Sequence, residues 1–249
     1  CRFCMTAGMG FRRGMGAGEI VGQVLAVMRE GTLSDKVFNV VFMGMGEPLL
    51  NLKAVRKASA VLMYPEGFGI GLAKMTISTC GITAGIRDLA ENGPRFRLAV
   101  SLVSAIQQKR VQLMPAGRAN PLPALREALL LYQRKSGKRI TFEYVLLPGV
   151  NDGKGDISAL RTFTRTFSSI VNVIPYNPVE GLPFRRPQEK EIRSFLTACE
   201  IAGISCTRRY SKGRGISGAC GQLGGAASNA VDDISALVED GPDPAHPGG

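Results

Sequence analysis

Short runs rich in β-branched and aromatic residues alternate along this chain with longer stretches whose apolar positions recur every three or four residues. Segments 38–43, 75–79, 97–102, 140–147, 171–175 and 204–208 have the strand composition. Around them, 19–30, 52–63, 84–92, 122–135, 158–166 and 187–202 each gather apolar side chains on one helical face. A strand, a helix and a further strand make a crossover, and crossovers join parallel strands. Repetition of that unit predicts an α/β fold, a partial (β/α) barrel with parallel strands. No strand-like run precedes the first helical pattern, so the first strand of the barrel is expected to be missing. The barrel is expected to occupy residues 1–224, and residues 225–249, acidic and then rich in Gly and Pro, to form a tail with a short helix and a disordered end.

Composition narrows the class. The 249 residues are 45% hydrophobic and 20% charged, which suits one large globular domain. No apolar stretch approaches the roughly 18 residues that span a bilayer, and the start lacks a basic-then-apolar signal, so a soluble, cytoplasmic protein with no membrane partner is expected. The chain begins with Cys rather than Met and is expected to be a piece of a longer polypeptide. Lys and Arg number 31 against 20 Asp and Glu, a net charge of +11. All five acidic residues beyond 230 lie in a segment without Lys or Arg, so 31 basic against 15 acidic residues leave residues 1–230 at +16. A body this basic suits RNA or DNA, and equally a protein that is merely well solvated.

The six cysteines are Cys1, Cys4, Cys80, Cys199, Cys206 and Cys220, and without a secretory signal they favour metal or catalytic use over disulfides. His246 is the only histidine and lies in the tail, which leaves little for a His-rich zinc site or a Ser-His-Asp triad.

In a β/α barrel the working groups sit where strands end. Here Gly44-Met45-Gly46-Glu47-Pro48 follows the first strand, Ser78-Thr79-Cys80-Gly81 ends the second, Ser101 ends the third, and Asn177 follows the fifth within Pro175-Tyr176-Asn177-Pro178. Each alone is a common turn former. Their recurrence at four strand ends offers small polar groups and one carboxylate, suited to the amino acid and ribose parts of a ligand. Cys1-Arg2-Phe3-Cys4 is a C-x-x-C open to three readings: a redox pair, a zinc ribbon or part of an iron-sulfur site. Cys199 and Cys206, on a helix and a strand, read as structural, and Cys80 as a pocket-wall or buried thiol.

Cys1-Arg2-Phe3-Cys4, Gly10-Phe11 with Arg13, Gly46-Glu47-Pro48, Glu143-Tyr144-Val145, Val150-Asn151-Asp152-Gly153, Pro175-Tyr176-Asn177-Pro178 and Ala219-Cys220-Gly221-Gln222-Leu223 together resemble the RlmN/Cfr family of radical S-adenosylmethionine RNA methyltransferases. The similarity runs from residue 1 to about 224 and is narrowest around Cys220. It implies a barrel of the radical S-adenosylmethionine type, with Cys1 and Cys4 as the second and third ligands of a 4Fe–4S cluster. Gly46, Glu47, Ser78, Ser101, Leu102, Val103 and Asn177 would contact S-adenosylmethionine. Cys220 would be the methyl carrier, alkylated at its thiolate before the methyl group moves to an adenine ring carbon.

The implied substrate is an adenosine of large-subunit (23S-type) ribosomal RNA, methylated at carbon-2, with transfer RNA as a second substrate and an electron donor such as flavodoxin as partner. Methylation at carbon-8, another radical S-adenosylmethionine reaction and a non-catalytic RNA-binding role stand as alternatives. Two positions depart from the family pattern: Val103 stands where the family has His, which leaves only a backbone contact there, and Gly14 stands where Asn is usual. Arg208, Arg209, Lys212 and Arg214, with Tyr210 interleaved and Arg185 and Arg186 nearby, form a basic cluster expected to meet RNA phosphates.

Overall fold

The computed structural model describes residues 1–30, 38–210 and 221–222. The tail beyond 224, Lys212, Arg214 and Cys220 lie outside the described residues. Six strands appear where the β-rich runs predict them: β1 Val40–Phe42, β2 Met75–Thr79, β3 Arg97–Ser101, β4 Ile140–Leu146, β5 Ser169–Pro175 and β6 Cys206–Arg208. The helices are α1 Met5–Gly8, α2 Ala17–Arg29, α3 Leu52–Met63, α4 Thr83–Asn92, α5 Gln107–Leu113, α6 Leu122–Ser136, α7 Lys154–Thr164 and α8 Glu189–Ile201. Neither α1 nor α5 follows from periodicity. Val111 and Leu113 are the only strongly apolar residues among the seven of α5, too few to define a face.

Local chemistry sets the element ends. Helix α6 begins beside Pro121 and Pro123, whose fixed φ suits a first turn, and ends at Gly137 in the left-handed region (φ 65°) with its N–H on the Gln133 carbonyl. Its buried face, Leu122, Leu125, Ala128, Leu129 and Tyr132, keeps the spacing of three and four that the sequence displays. The Tyr132 hydroxyl would be costly to bury alone, and it donates to the Phe96 carbonyl at 2.6 Å.

Every strand pairing is parallel and the spatial order is β1-β2-β3-β4-β5-β6, the same as the order in sequence. With right-handed crossovers, a sequential order puts all crossover helices on one face of the sheet. Alternate strand residues agree with this: Leu98, Val100, Phe142, Tyr144, Val171 and Val173 pack with Leu129, Tyr132, Leu160, Phe163, Ile192 and Phe195 in the main core. Tyr144 stacks on Phe195 with ring centroids 5.4 Å apart. Burial of each such side chain contributes roughly 1.5–3 kcal/mol. The sheet does not close among the described residues, since β1 and β6 each have one neighbour, which makes it a partial barrel. No helix among the described residues is long and apolar enough to cross a membrane.

A second core closes the C-terminal end of the sheet. Phe3 from the Cys1–Cys4 loop packs there with Val103, Leu147, Val150, Tyr176, Val179 and Phe184 from the loops after β3, β4 and β5. The residues that end the strands are thereby fixed against the loop that carries the first two cysteines.

Candidate active site

Strand residues of the opposite parity face away from the helices. Ser78, Ser101, Thr141, Glu143, Asn172 and Thr207 belong to this face, and none of them joins the helix-side core. The registers align Ser101 with Glu143, Glu143 with Asn172, and Asn172 with Thr207, so four polar residues form one row across β3 to β6. Within the row Asn172 Nδ2 donates to Glu143 Oε2 at 2.9 Å and Thr207 Oγ1 donates to Asn172 Oδ1 at 3.4 Å. Arg209, just past β6, brings Nη1 to 3.7 Å from Glu143 Oε2 and places both Nη atoms within 3.9 Å of Met43 Sδ, beyond β1. Burial raises the Glu143 pKa, opposed by Arg209 and by the Asn172 hydrogen bond.

Sequence patterning did not single out Glu143, Asn172 and Arg209 as a group. A detectable signal exists, because an acid between Phe142 and Tyr144 and an amide between Val171 and Val173 interrupt two core strands at the same register.

Glu47 holds two backbone N–H groups. Oε1 accepts from the Leu49 N–H at 3.0 Å, and Oε2 accepts from the Cys80 N–H at 2.7 Å. The carboxylate thus caps the turn Pro48–Asn51 and joins the loops after β1 and β2. Gly44 and Gly46 have φ of 122° and 109°, where side chains rarely fit, so the backbone before Glu47 requires glycine. Packing holds the turn as well: a Cβ on Gly85 of α4 would come within 2.7 Å of Leu49 Cβ. The Cys80 pKa is pushed up to about 12, by burial first and then by neighbouring Glu47.

After β3 the chain turns sharply. Leu102 and Val103 direct their N–H groups to the Glu143 carbonyl, and Val103 has φ 60°, a strained conformation for a β-branched residue. Both residues are wholly buried, and the Leu102 carbonyl accepts from Arg110 Nη1. The Val103 carbonyl accepts from Asn151 Nδ2 at 2.8 Å. Asn177 is buried, and its Oδ1 accepts from Arg186 Nη1 at 2.9 Å.

Cys1 and Cys4 lie on one turn, the Cys4 N–H donating to the Cys1 carbonyl at 3.2 Å, and neither is in a disulfide. Two thiols one turn apart at the strand-end face fit an iron-sulfur group in donor type and place. They are a partial set: among the described residues no group of three or more His, Cys, Asp or Glu could hold a metal ion, whereas a cluster takes three or four thiolates. Residues 221 and 222 return to the same loop. The Met5 N–H donates to the Gly221 carbonyl at 2.9 Å, and Gln222 Nε2 donates to the Pro178 carbonyl at 3.0 Å.

The basic cluster is divided. Arg208 faces the helices and pairs with Glu189 at 2.6 Å, while Arg209 faces the polar row. Arg185 pairs with Glu191, and Arg186 holds Asn177. Each of these four arginines has a partner within the fold. Tyr210 stays exposed, with the Arg208 guanidinium 4.9 Å from its ring centroid.

Residues 1–158 match the family model of the Radical SAM superfamily. A probable dual-specificity RNA methyltransferase RlmN of Treponema denticola is 43% identical over 230 residues, 92% of this chain and 65% of that protein. The protein of the same description from Desulfitobacterium hafniense is 45% identical over 226 residues, 90% of this chain and 63% of its own length. A solved radical SAM methyltransferase from Sphaerobacter thermophilus superposes with a TM-score of 0.85 at 39% identity, covering 89% of this chain and 65% of that one. The chain therefore spans a little under two thirds of the length of these relatives.

Proposed function

Because this chain belongs to the Radical SAM superfamily, we propose that it is the catalytic part of an RNA methyltransferase of the RlmN kind. Its substrate is an adenosine of large-subunit ribosomal RNA, methylated at carbon-2, and transfer RNA is a second substrate. The relatives described as dual-specificity RNA methyltransferases support the reading at 40–45% identity over about nine tenths of the chain.

One structural observation carries the proposal. Gly221, covalently next to Cys220, is hydrogen-bonded to the residue after Cys4, and Gln222 to the turn that bears Asn177. A thiol that must accept a methyl group beside a cluster and a bound S-adenosylmethionine needs its flanking backbone fastened to both.

In this reading Cys1 and Cys4 supply two thiolates to a 4Fe–4S cluster. Cluster and S-adenosylmethionine together supply radical chemistry, which an adenine ring carbon requires because it is too electron-poor for simple methyl transfer. Gly46 lets the backbone approach the ligand, and Glu47 holds that backbone to the end of β2. Ser78 and Ser101 offer hydroxyls on the helix-free face, Leu102 and Val103 form the buried turn that holds the end of β3 in place, and Asn177 offers an amide whose orientation Arg186 fixes. Cys220 would act as the methyl acceptor, its thiolate being the nucleophile and the thioether left on the donor sulfur keeping the electron pair. A low-potential carrier such as flavodoxin delivers electrons.

The test is to incubate the anaerobically reconstituted protein with S-adenosylmethionine and weigh the peptide containing Cys220. One added methyl group on Cys220 is expected. An unmodified peptide from protein that has bound S-adenosylmethionine overturns the methyl-carrier role.

A further inference from the structure

Arg110 of α5 is wholly buried, yet it appears in no ion pair among the described residues. Arginine is rarely so placed without a carboxylate, because an unpaired charge in the interior is costly. Here the guanidinium donates to backbone carbonyls instead. Nη1 reaches the Ser101 carbonyl at 2.8 Å and also that of Leu102, and Nη2 reaches the Cys80 carbonyl at 2.7 Å. One side chain therefore ties the ends of β2 and β3 together.

Two glycines shape its slot. A Cβ on Gly81 would lie 3.0 Å from Arg110 Nη2, and one on Gly117 would lie 3.3 Å from Arg110 Cγ. Glu47, a carboxylate at these strand ends, already accepts from two backbone N–H groups. Three carbonyl dipoles stabilise the positive charge without cancelling it.

The geometry points to Arg110 as a positioning residue for the ligand site: it fixes the ends of β2 and β3 relative to each other, and its unneutralised charge favours a ligand that brings a carboxylate to those ends. This rests on the S-adenosylmethionine site proposed above. Arg110 touches no ligand, since its side chain has no exposed surface. It acts through the backbone of Cys80, Ser101 and Leu102 and through its field, which a low-dielectric surrounding screens weakly.

Two ligands separate these effects from simple loss of structure. S-adenosylhomocysteine carries the amino acid carboxylate, whereas 5′-methylthioadenosine has the same nucleoside and thioether without it. Titration calorimetry of both into the chain and into Arg110→Gln and Arg110→Lys reads the preference directly. Arg110→Gln is expected to weaken S-adenosylhomocysteine at least tenfold, about 1.4 kcal/mol, and methylthioadenosine by much less. Arg110→Lys, which keeps the charge but loses the planar fork, is expected to restore part of the preference.

Equal weakening of both ligands would reduce Arg110 to a structural clamp and overturn the proposal, as would no weakening of either. If neither ligand binds the unsubstituted chain, the ligand site falls and the role of Arg110 with it. Should Arg110→Gln fail to fold, Gly117→Ala, which crowds the Arg110 stem, takes its place. A loss confined to S-adenosylhomocysteine upholds the proposal there, and an equal loss or none refutes it.

Discussion

Glu143 is a carboxylate set between two core aromatic residues, on the face of β4 that carries no helix. Its raised pKa comes first from burial, so the folded chain holds its proton more tightly than the unfolded chain does. The sign follows from linkage: this group's contribution to stability is full below the ordinary carboxylate pKa and is lost as pH rises through the higher folded value. Glu143→Gln keeps an oxygen for Asn172 Nδ2 and removes the titration. Thermal melts between about pH 4 and pH 8 should therefore show wild type losing ground to Glu143→Gln as pH rises. A difference that stays flat across that window would mean that Arg209 fully offsets the burial. The sequence marks Glu47 as a functional acid by its place after a strand, but nothing local reveals that both oxygens hold backbone N–H groups, one of them 33 residues away. Arg110 is less legible still, since in Gln107-Gln108-Lys109-Arg110 it looks like one more solvated base.

At the scale of elements, the loops after β3 and β4 depend on Asn151. Its Nδ2 donates to the Val103 and Val145 carbonyls at 2.8 and 2.7 Å, and its Oδ1 accepts from the Leu147 N–H at 2.8 Å. The Asn151 carbonyl in turn accepts from the buried Tyr144 hydroxyl at 2.6 Å. Val103, left-handed at φ 60°, stays in that conformation because the network over-determines it. Asn151→Ala strands several buried backbone groups and is expected to destabilise the chain by about 3 kcal/mol, read from equilibrium urea unfolding. A loss well under 1 kcal/mol would mean that water replaces the amide. The motif Val150-Asn151-Asp152-Gly153 is visible in the sequence as a family resemblance. Its physical task is not, because Val103 lies 48 residues earlier. Distance in sequence also hides the task of α5, whose Arg110 donates to the Cys80 carbonyl 30 residues earlier.

For the whole molecule the decisive feature is a parallel sheet in sequential order with its helices on one side and polar residues on the other. The central strands β3, β4 and β5 each have two neighbours and a helix-side core, while β1 and β6 have one neighbour each. Hydrogen exchange should follow that difference: amides of β3, β4 and β5 exchange only through global unfolding, and those of β1 and β6 through smaller openings with lower protection. Uniform protection across all six strands would overturn this ranking.

The sequence by itself determined the strand and helix succession, the parallel fold class, the strand-end positions of Gly46, Glu47, Ser78, Ser101 and Asn177, and the family, because each is written in local periodicity or in contiguous motifs. Tertiary structure alone decided which groups share a partner. It joined Glu143 to Asn172 and Arg209, set Arg208 and Arg209 on opposite faces, and buried Arg110 beneath two strand ends. These outcomes depend on register and on which carbonyls are left without donors. Both are properties of the assembled sheet, and no stretch of ten or twenty residues encodes them.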